Sequence, residues 1–198
     1  MIDNIRAEDG LKDSIQAFIW HMNETFELDM LPSVPAWVVD RIVSLCQIVG
    51  SLRASVLRER SDDVSYRPRP EIGTRLANQI LKLGRSCALV AGKKEIDEEI
   101  YQIMQKVAFS TAHGYQSDIV RELVHYPKGL TIEELCQNLQ LTTSTVHRRL
   151  DDLQELKIVV SQKRKDKRRG RPTNVWKVTD MMRGHWEKAE VNIRRVER

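Results

Sequence analysis

The sequence predicts a mainly α-helical chain, a helical bundle followed by two short helices and a small β-hairpin. Three observations carry this. Apolar residues recur at steps of three and four over most of the first 125 positions, the period of a helix buried on one face. Aromatics are 6% of the 198 residues, with only nine Gly and six Pro, so strand-and-turn composition is scarce. Alternation of the strand type is confined to two stretches near positions 157–160 and 174–179, separated by a basic run.

Leu11, Ile15, Phe18, Met22 and Phe26 mark a first helix over about 10–28. Pro32 and Pro35 end it, because the residue before a proline is pushed out of the helical region. A second helix, about 35–58, has the clearest stripe: Val38, Ile42, Leu45, Val49, Leu52 and Val56. The charged RERSDD patch and an extended SYRPRPE segment follow. Pro70 suits the first turn of a third helix, about 70–91, carrying Ile72, Leu76, Ile80, Leu83, Cys87 and Val90 and stopped by Gly92. A fourth, about 96–109, carries Ile96, Ile100, Ile103 and Val107, with Asp97, Glu98 and Glu99 at its positive end. Four such helices cannot each bury a stripe alone, so residues 1–112 are expected to form one bundle.

Residues 113–180 are expected to form a second unit. After a break at His113-Gly114, a helix over 115–125 ends at Tyr126-Pro127. Thr131 opens TIEE, a capping box in which Thr and Glu134 satisfy each other's free backbone N–H groups. Leu135, Cys136 and Leu139 face the core of that short helix. A tight QLTT connection leads to a helix over about 143–156, with Val146, Leu150 and Leu153 inward. Thr143, Ser144, Thr145, His147, Arg148 and Arg149 stand on its other side. Two helices joined by so short a turn, the second cationic near its start, form a helix-turn-helix whose second helix enters a major groove. Hydroxyls there can bond phosphates or bases, and Arg can fork onto guanine.

Residues 157–160 then read as a strand and 174–179 as its return, with Trp176 and Val178 on one face and Lys177 on the other. Between them KRKDKRRGR, 163–171, carries Lys163, Arg164, Lys165, Lys167, Arg168, Arg169 and Arg171 against one acid. A hairpin with a cationic tip beside a helix-turn-helix is a wing, and each charge that neutralises a phosphate adds salt-dependent affinity. Arg171, in the GRP turn, is placed to enter a minor groove. Charge is distributed accordingly: residues 1–112 carry 14 basic and 16 acidic residues, residues 113–198 carry 18 and 12. A basic C-terminal half is the electrostatic footprint of a nucleic-acid-binding module. Residues 181–198 are expected to form a last helix along Met182, Trp186, Ala189, Ile193 and Val196, packing on the winged unit or on a second copy.

TIEELCQNLQLTTSTVHRRLDDLQELKIVV with GRPTNVWKVTD resembles the winged-helix domains of bacterial and archaeal regulators. That resemblance implies double-stranded DNA as partner. A second resemblance concerns YRPRPEIGTRLANQILKLGRSCALVAGKKEIDEEIYQIMQKVAFST, which is similar to the helical lid of AAA+ ATPases of the helicase and replication-initiator type. It implies that Arg75, or next to it Arg69, is a nucleotide sensor, and that ATP and Mg²⁺ serve a longer parent protein. The chain itself has no GxxxxGK[ST] loop; Gly92-Lys93-Lys94 lacks the preceding Gly and the hydroxyl position. No ATP hydrolysis is expected of the chain alone, and no other catalytic, cofactor or metal constellation emerges.

The resulting expectation is DNA binding as the lid and winged helix of a helicase-like ATPase. The alternatives are a stand-alone dimeric transcriptional regulator and a protein-interaction adaptor. Cys46, Cys87 and Cys136 are widely spaced and read as free thiols of a reducing compartment. With no leader-like start and no membrane-length apolar run, a cytoplasmic location without membrane contact is expected.

Overall fold

A computed structural model describes residues 2–25, 27, 30–58, 64–66, 73–112, 114–165 and 172–191. Their order is α1 (Ile2–Thr25), α2 (Ala36–Arg53), β1 (Leu57–Arg58), β2 (Val64–Tyr66), α3 (Gly73–Val90), α4 (Glu98–Ser110), α5 (Gly114–His125), α6 (Ile132–Leu139), α7 (Thr143–Glu155), β3 (Val159–Lys165), β4 (Pro172–Val178) and α8 (Asp180–Lys188). The chain is mainly helical, with the wing-type hairpin where the sequence places it.

The body is built on α2. Val38, Ile42, Leu45, Val49 and Leu52 are buried as expected, and Cys46 and Ile48 join them. The flanks of α2 are covered by α3, α4 and α8. Its start is pinned across the body: Ser33 N–H donates to the Lys94 carbonyl at 2.9 Å, and Ile96 N–H donates to the Ser33 carbonyl at 3.2 Å. The helix stops at Arg53, five residues before the expected end. The chain turns extended at Ala54, and β1 pairs antiparallel with β2. Ser55 and Val56, just past the turn at Ala54, are weaker helix formers, and Leu57 and Arg58 pair with Tyr66 and Val64 instead of continuing the helix.

α3 approaches α4 through small residues. Leu76, Ile80, Gly84 and Ala88 face inward, while Leu83 and Cys87 are half-buried and Val90 is exposed. A methyl group at Gly84 would collide with Met104 Sδ, so the glycine sets how close the helices lie. Gly92, at φ 67°, ends α3 as expected: Lys93 N–H reaches back to the Ala88 carbonyl at 2.8 Å.

Two expectations for the bundle are corrected. On α4, Ile100 is buried, but Ile103 and Val107 are each 38% exposed; Tyr101, Met104, Gln105, Ala108 and Phe109 point inward instead. The helix is apolar around much more than one stripe, and the larger side chains took the core. Among the described residues the first helix does not complete the bundle: Ile15, Phe18, Ile19 and Trp20 of α1 are exposed, and no described element packs broadly against it. Its place against α2 is taken by α8, from the other end of the chain.

α8 starts at a Thr179 cap, whose hydroxyl accepts from Met182 N–H. It buries Met182, Trp186 and Ala189. Trp186 stacks on Phe109 of α4 with ring centroids 5.4 Å apart. Its free C-terminal carbonyls are satisfied by α4: Tyr101 Oη donates to the Ala189 carbonyl at 2.8 Å, and Gln105 Nε2 donates to the Ala189 and Glu190 carbonyls at 3.1 Å each. Arg41 of α2 pairs with Glu98 at 2.6 Å and with Glu190, while its guanidinium lies 4.5 Å from the Trp37 ring centroid. The helix thus ends earlier than expected. Ile193 and Val196 lie outside the described residues. A single buried apolar cluster runs from Val38 through α5, α6 and α7 to Ala189.

Candidate nucleic-acid interface

The C-terminal module forms from strong local signals. α5 buries Ile119, Val120 and Leu123 against α6, α7 and β4. At the start of α6, Thr131 Oγ1 accepts from Glu134 N–H at 3.2 Å and Glu134 Oε2 accepts from Thr131 N–H at 2.7 Å, the reciprocal pair that TIEE predicts. Gln140, left-handed at φ 55°, closes α6. Thr142 caps α7, accepting from Thr145 N–H at 3.4 Å. Val146, Leu150 and Leu153 are buried.

β3 and β4 pair antiparallel from Val159 with Val178 to Lys165 with Pro172. The hairpin is longer than expected: Lys163, Arg164 and Lys165 lie in β3, not in its connecting loop. Trp176 and Val178 are buried as expected, and Val175 is buried too. Leu130 adds a third strand position. Its N–H donates to the Trp176 carbonyl at 2.9 Å and its carbonyl accepts from Trp176 N–H at 2.7 Å. Gly129 makes this approach possible: at φ 79°, any Cβ there would sit 2.7 Å from the Trp176 carbonyl oxygen. Helix, helix-turn-helix and hairpin in this order are a winged helix.

Of the predicted contacts on α7, Thr143, Ser144, His147 and Arg148 are exposed. Ser144, His147, Arg148 and Asp151 follow one another at steps of three, one and three, so they form one face of the helix. His147 Nδ1 lies 2.9 Å from Asp151 Oδ2, which leaves its Nε2 as the ring's other hydrogen-bonding atom. Thr145 is half-buried and its hydroxyl bonds Thr142 Oγ1 at 2.9 Å, so it braces the cap. Arg149 is half-buried and turned toward Asp152, 3.5 Å away. The structure therefore separates Thr145 and Arg149 from the exposed face that the other four share.

On the wing, Lys163 and Arg164 are exposed and Lys165 ends β3. Arg164 Nη2 lies 3.8 Å from Glu134 Oε1, so the capping glutamate of α6 also faces the wing strand. Lys167, Arg168, Arg169 and Arg171 lie outside the described residues. Asp151 and Glu134 were not singled out from the sequence as site residues. Asp151 was findable from its spacing four residues after His147; the Glu134–Arg164 approach spans 30 positions and was not.

Arg75, the nucleotide sensor that the lid resemblance implies, is exposed on α3, and Arg69 lies outside the described residues. Cys46, Cys87 and Cys136 are not joined in disulfides; Cys46 is buried and the others are half-buried. Among the described residues no group of three His, Cys, Asp or Glu side chains is arranged to hold a metal ion, and no helix is long and apolar enough to cross a membrane.

The class the geometry defines, a winged-helix protein, is met by one comparison with known families. Residues 111–170 match a family model described as the MarR family. The match begins at the end of α4 and runs through α7 into the wing. It leaves out nearly all of the stretch similar to an ATPase lid, and no comparison supports an AAA+ portion. No curated protein and no solved structure matches the chain.

Proposed function

We propose that this chain binds double-stranded DNA and acts as a transcriptional regulator, with α7 in the major groove and the β3–β4 wing along the backbone. The observation that carries the reading is the exposed face Ser144, His147, Arg148 on the N-terminal half of α7, in the same module as a wing strand presenting Lys163 and Arg164. Arg148 is the candidate base reader, because a guanidinium forks onto guanine O6 and N7. Lys163 and Arg164 supply phosphate neutralisation, joined by the basic residues at 167–171. The match to a regulator family over residues 111–170 favours a regulator over the DNA grip of a larger ATPase. A cytoplasmic location and pairing with a second copy belong to the same proposal. For the pairing, the exposed Ile15, Phe18, Ile19 and Trp20 of α1 offer apolar surface.

The test is fluorescence anisotropy on selected duplexes at several salt concentrations. Replacing Lys163 and Arg164 together with Ala should weaken all duplexes alike and reduce the log–log salt slope by about 0.9 per lost contact. Arg148→Ala should instead erode discrimination between sequences, by about 1–3 kcal/mol at one base pair. Binding indifferent to all three changes defeats the DNA reading and leaves the adaptor alternative.

A further inference from the structure

The exposed face of α7 pairs a histidine with an acid. His147 Nδ1 lies 2.9 Å from Asp151 Oδ2, about one helical turn on. A carboxylate only accepts, so Nδ1 carries the hydrogen and donates it. In the neutral ring Nε2 is then an acceptor. The His147 side chain is 61% exposed and that of Asp151 38%, so the ring stands in solvent while the carboxylate is partly shielded. Helix stability does not account for the pair. An acid four residues before a base supports a helix better than the reverse order, and here the acid comes second. A carboxylate on a face turned to DNA also repels phosphates. What the pair does supply is a fixed ring. An unrestrained histidine turns about χ2 between two broad wells that exchange its nitrogens. The bond to Asp151 selects one of them, so that freedom is already lost before a partner arrives.

His147 is in the N-terminal half of α7 and shares its exposed face with Ser144 and Arg148. In helix-turn-helix docking that half of the second helix meets base edges. An acceptor there cannot bond phosphate oxygens or guanine O6 and N7, which themselves accept. It bonds an exocyclic amine, adenine N6 or cytosine N4. Arg148, with donors alone, is confined to the opposite partners. We propose, resting on the DNA reading above, that His147 is a specificity-determining residue whose Nε2 accepts from a base amine in the major groove. Asp151 is the positioning residue that sets its tautomer and holds the ring. Side by side, the two residues give α7 one acceptor and one donor with which to read sequence.

Two measurements test this at about pH 8, the upper end of the range in which imidazoles change charge. Long-range ¹H–¹⁵N correlation NMR of the free chain reads the tautomer without DNA, with His147→Ala assigning the signal. The hydrogen is expected on Nδ1 in the unaltered chain and in Asp151→Asn, whose amide oxygen still accepts, and on both nitrogens in exchange in Asp151→Ala. Selection from random duplexes then finds the preferred site. His147→Ala should lose about tenfold of the discrimination at one base pair, the worth of one hydrogen bond. Purine for adenine, or pyrimidin-2-one for cytosine, removes the amine from that pair and tells the two bases apart. It should weaken the unaltered chain about tenfold more than it weakens His147→Ala. Asp151→Ala should lose about threefold of the same discrimination while binding every duplex more tightly, and Asp151→Asn should restore the discrimination. Both residues are on the surface, and circular dichroism checks that the variants fold. The proposal is overturned by a hydrogen on Nε2 in the unaltered chain, by His147→Ala discriminating as before, or by Asp151→Ala raising affinity with the discrimination intact. A chain that still selects duplexes after such a result keeps the DNA reading; a chain that binds no duplex loses both.

Discussion

The two terminal helices make opposite use of similar material. α1 is 24 residues long and holds Ile15, Phe18, Ile19 and Trp20 at the surface. α8 is nine residues long and buries Met182 and Trp186, with Ala189 at its end, against α2 and α4. By its longer apolar stripe α1 was the better candidate for the bundle. The difference is in partners. α8 offers side chains that fill the space along α2, and backbone carbonyls at its end to which Tyr101 and Gln105 donate hydrogen bonds. A stripe states that a helix can be buried; complementary shape and satisfied backbone groups decide whether it is.

The comparison can be broken most severely by truncation. Removing residues 180–198 should abolish cooperative unfolding of the body, because it uncovers α2 and the Phe109 face. Removing residues 1–25 should shift the thermal midpoint by no more than about 3 °C. Equal damage from both cuts, read by calorimetry, would overturn the contrast. Single residues sharpen it. Trp186→Ala should cost about 3–5 kcal/mol in denaturant titrations, as large-to-small core changes do. Trp20→Ala, at a residue 64% exposed, should stay within about 0.5 kcal/mol for the isolated chain.

Smaller effects probe the clasp at the end of α8. Arg41→Ala loses two ion pairs and the stack on Trp37, and is expected to cost about 1–2 kcal/mol, less at high salt. Tyr101→Phe removes the donor to Ala189 and should cost about 1 kcal/mol at neutral pH. Tyr101 also gives the clasp a pH signature. Burial pushes its phenol up to about 12 from 10.0. A raised phenol favours the folded state while it stays protonated. Its contribution is complete below pH 10 and is lost as pH rises toward 12. Stability of the unaltered chain should therefore fall more steeply over that window than stability of the Phe variant.

The winged helix was the most legible region because its signals are local. Thr131 and Glu134 are three residues apart and bond each other, and Thr142 caps α7 within a turn; in the body, Gly92 was legible for the same reason, standing where positive φ ends α3. The exposed face of α7 was legible for Ser144, His147 and Arg148. It failed at Thr145 and Arg149, whose side chains found partners in the cap and at Asp152. α4 was misjudged in phase, not in existence. Ile100, Ile103 and Val107 make one plausible stripe and Ile100, Met104 and Ala108 another. The choice between them lay with Trp186, Trp37 and Met104's contact over Gly84. The packing of α4 on α5 was invisible for the same reason, since Phe109 and Arg121 meet only after the joint folds.

By itself the sequence determined which helices form, the capped start of α6, the glycine end of α3 and which half carries the positive charge, because capping, turn geometry and composition act over a few residues. The tertiary structure alone decided which terminal helix enters the core, which face of α4 looks inward, and which cations remain free to meet a partner. Those outcomes rest on contacts such as Tyr101 to Ala189, 88 positions apart, whose strength depends on shape and desolvation that no short window of residues contains.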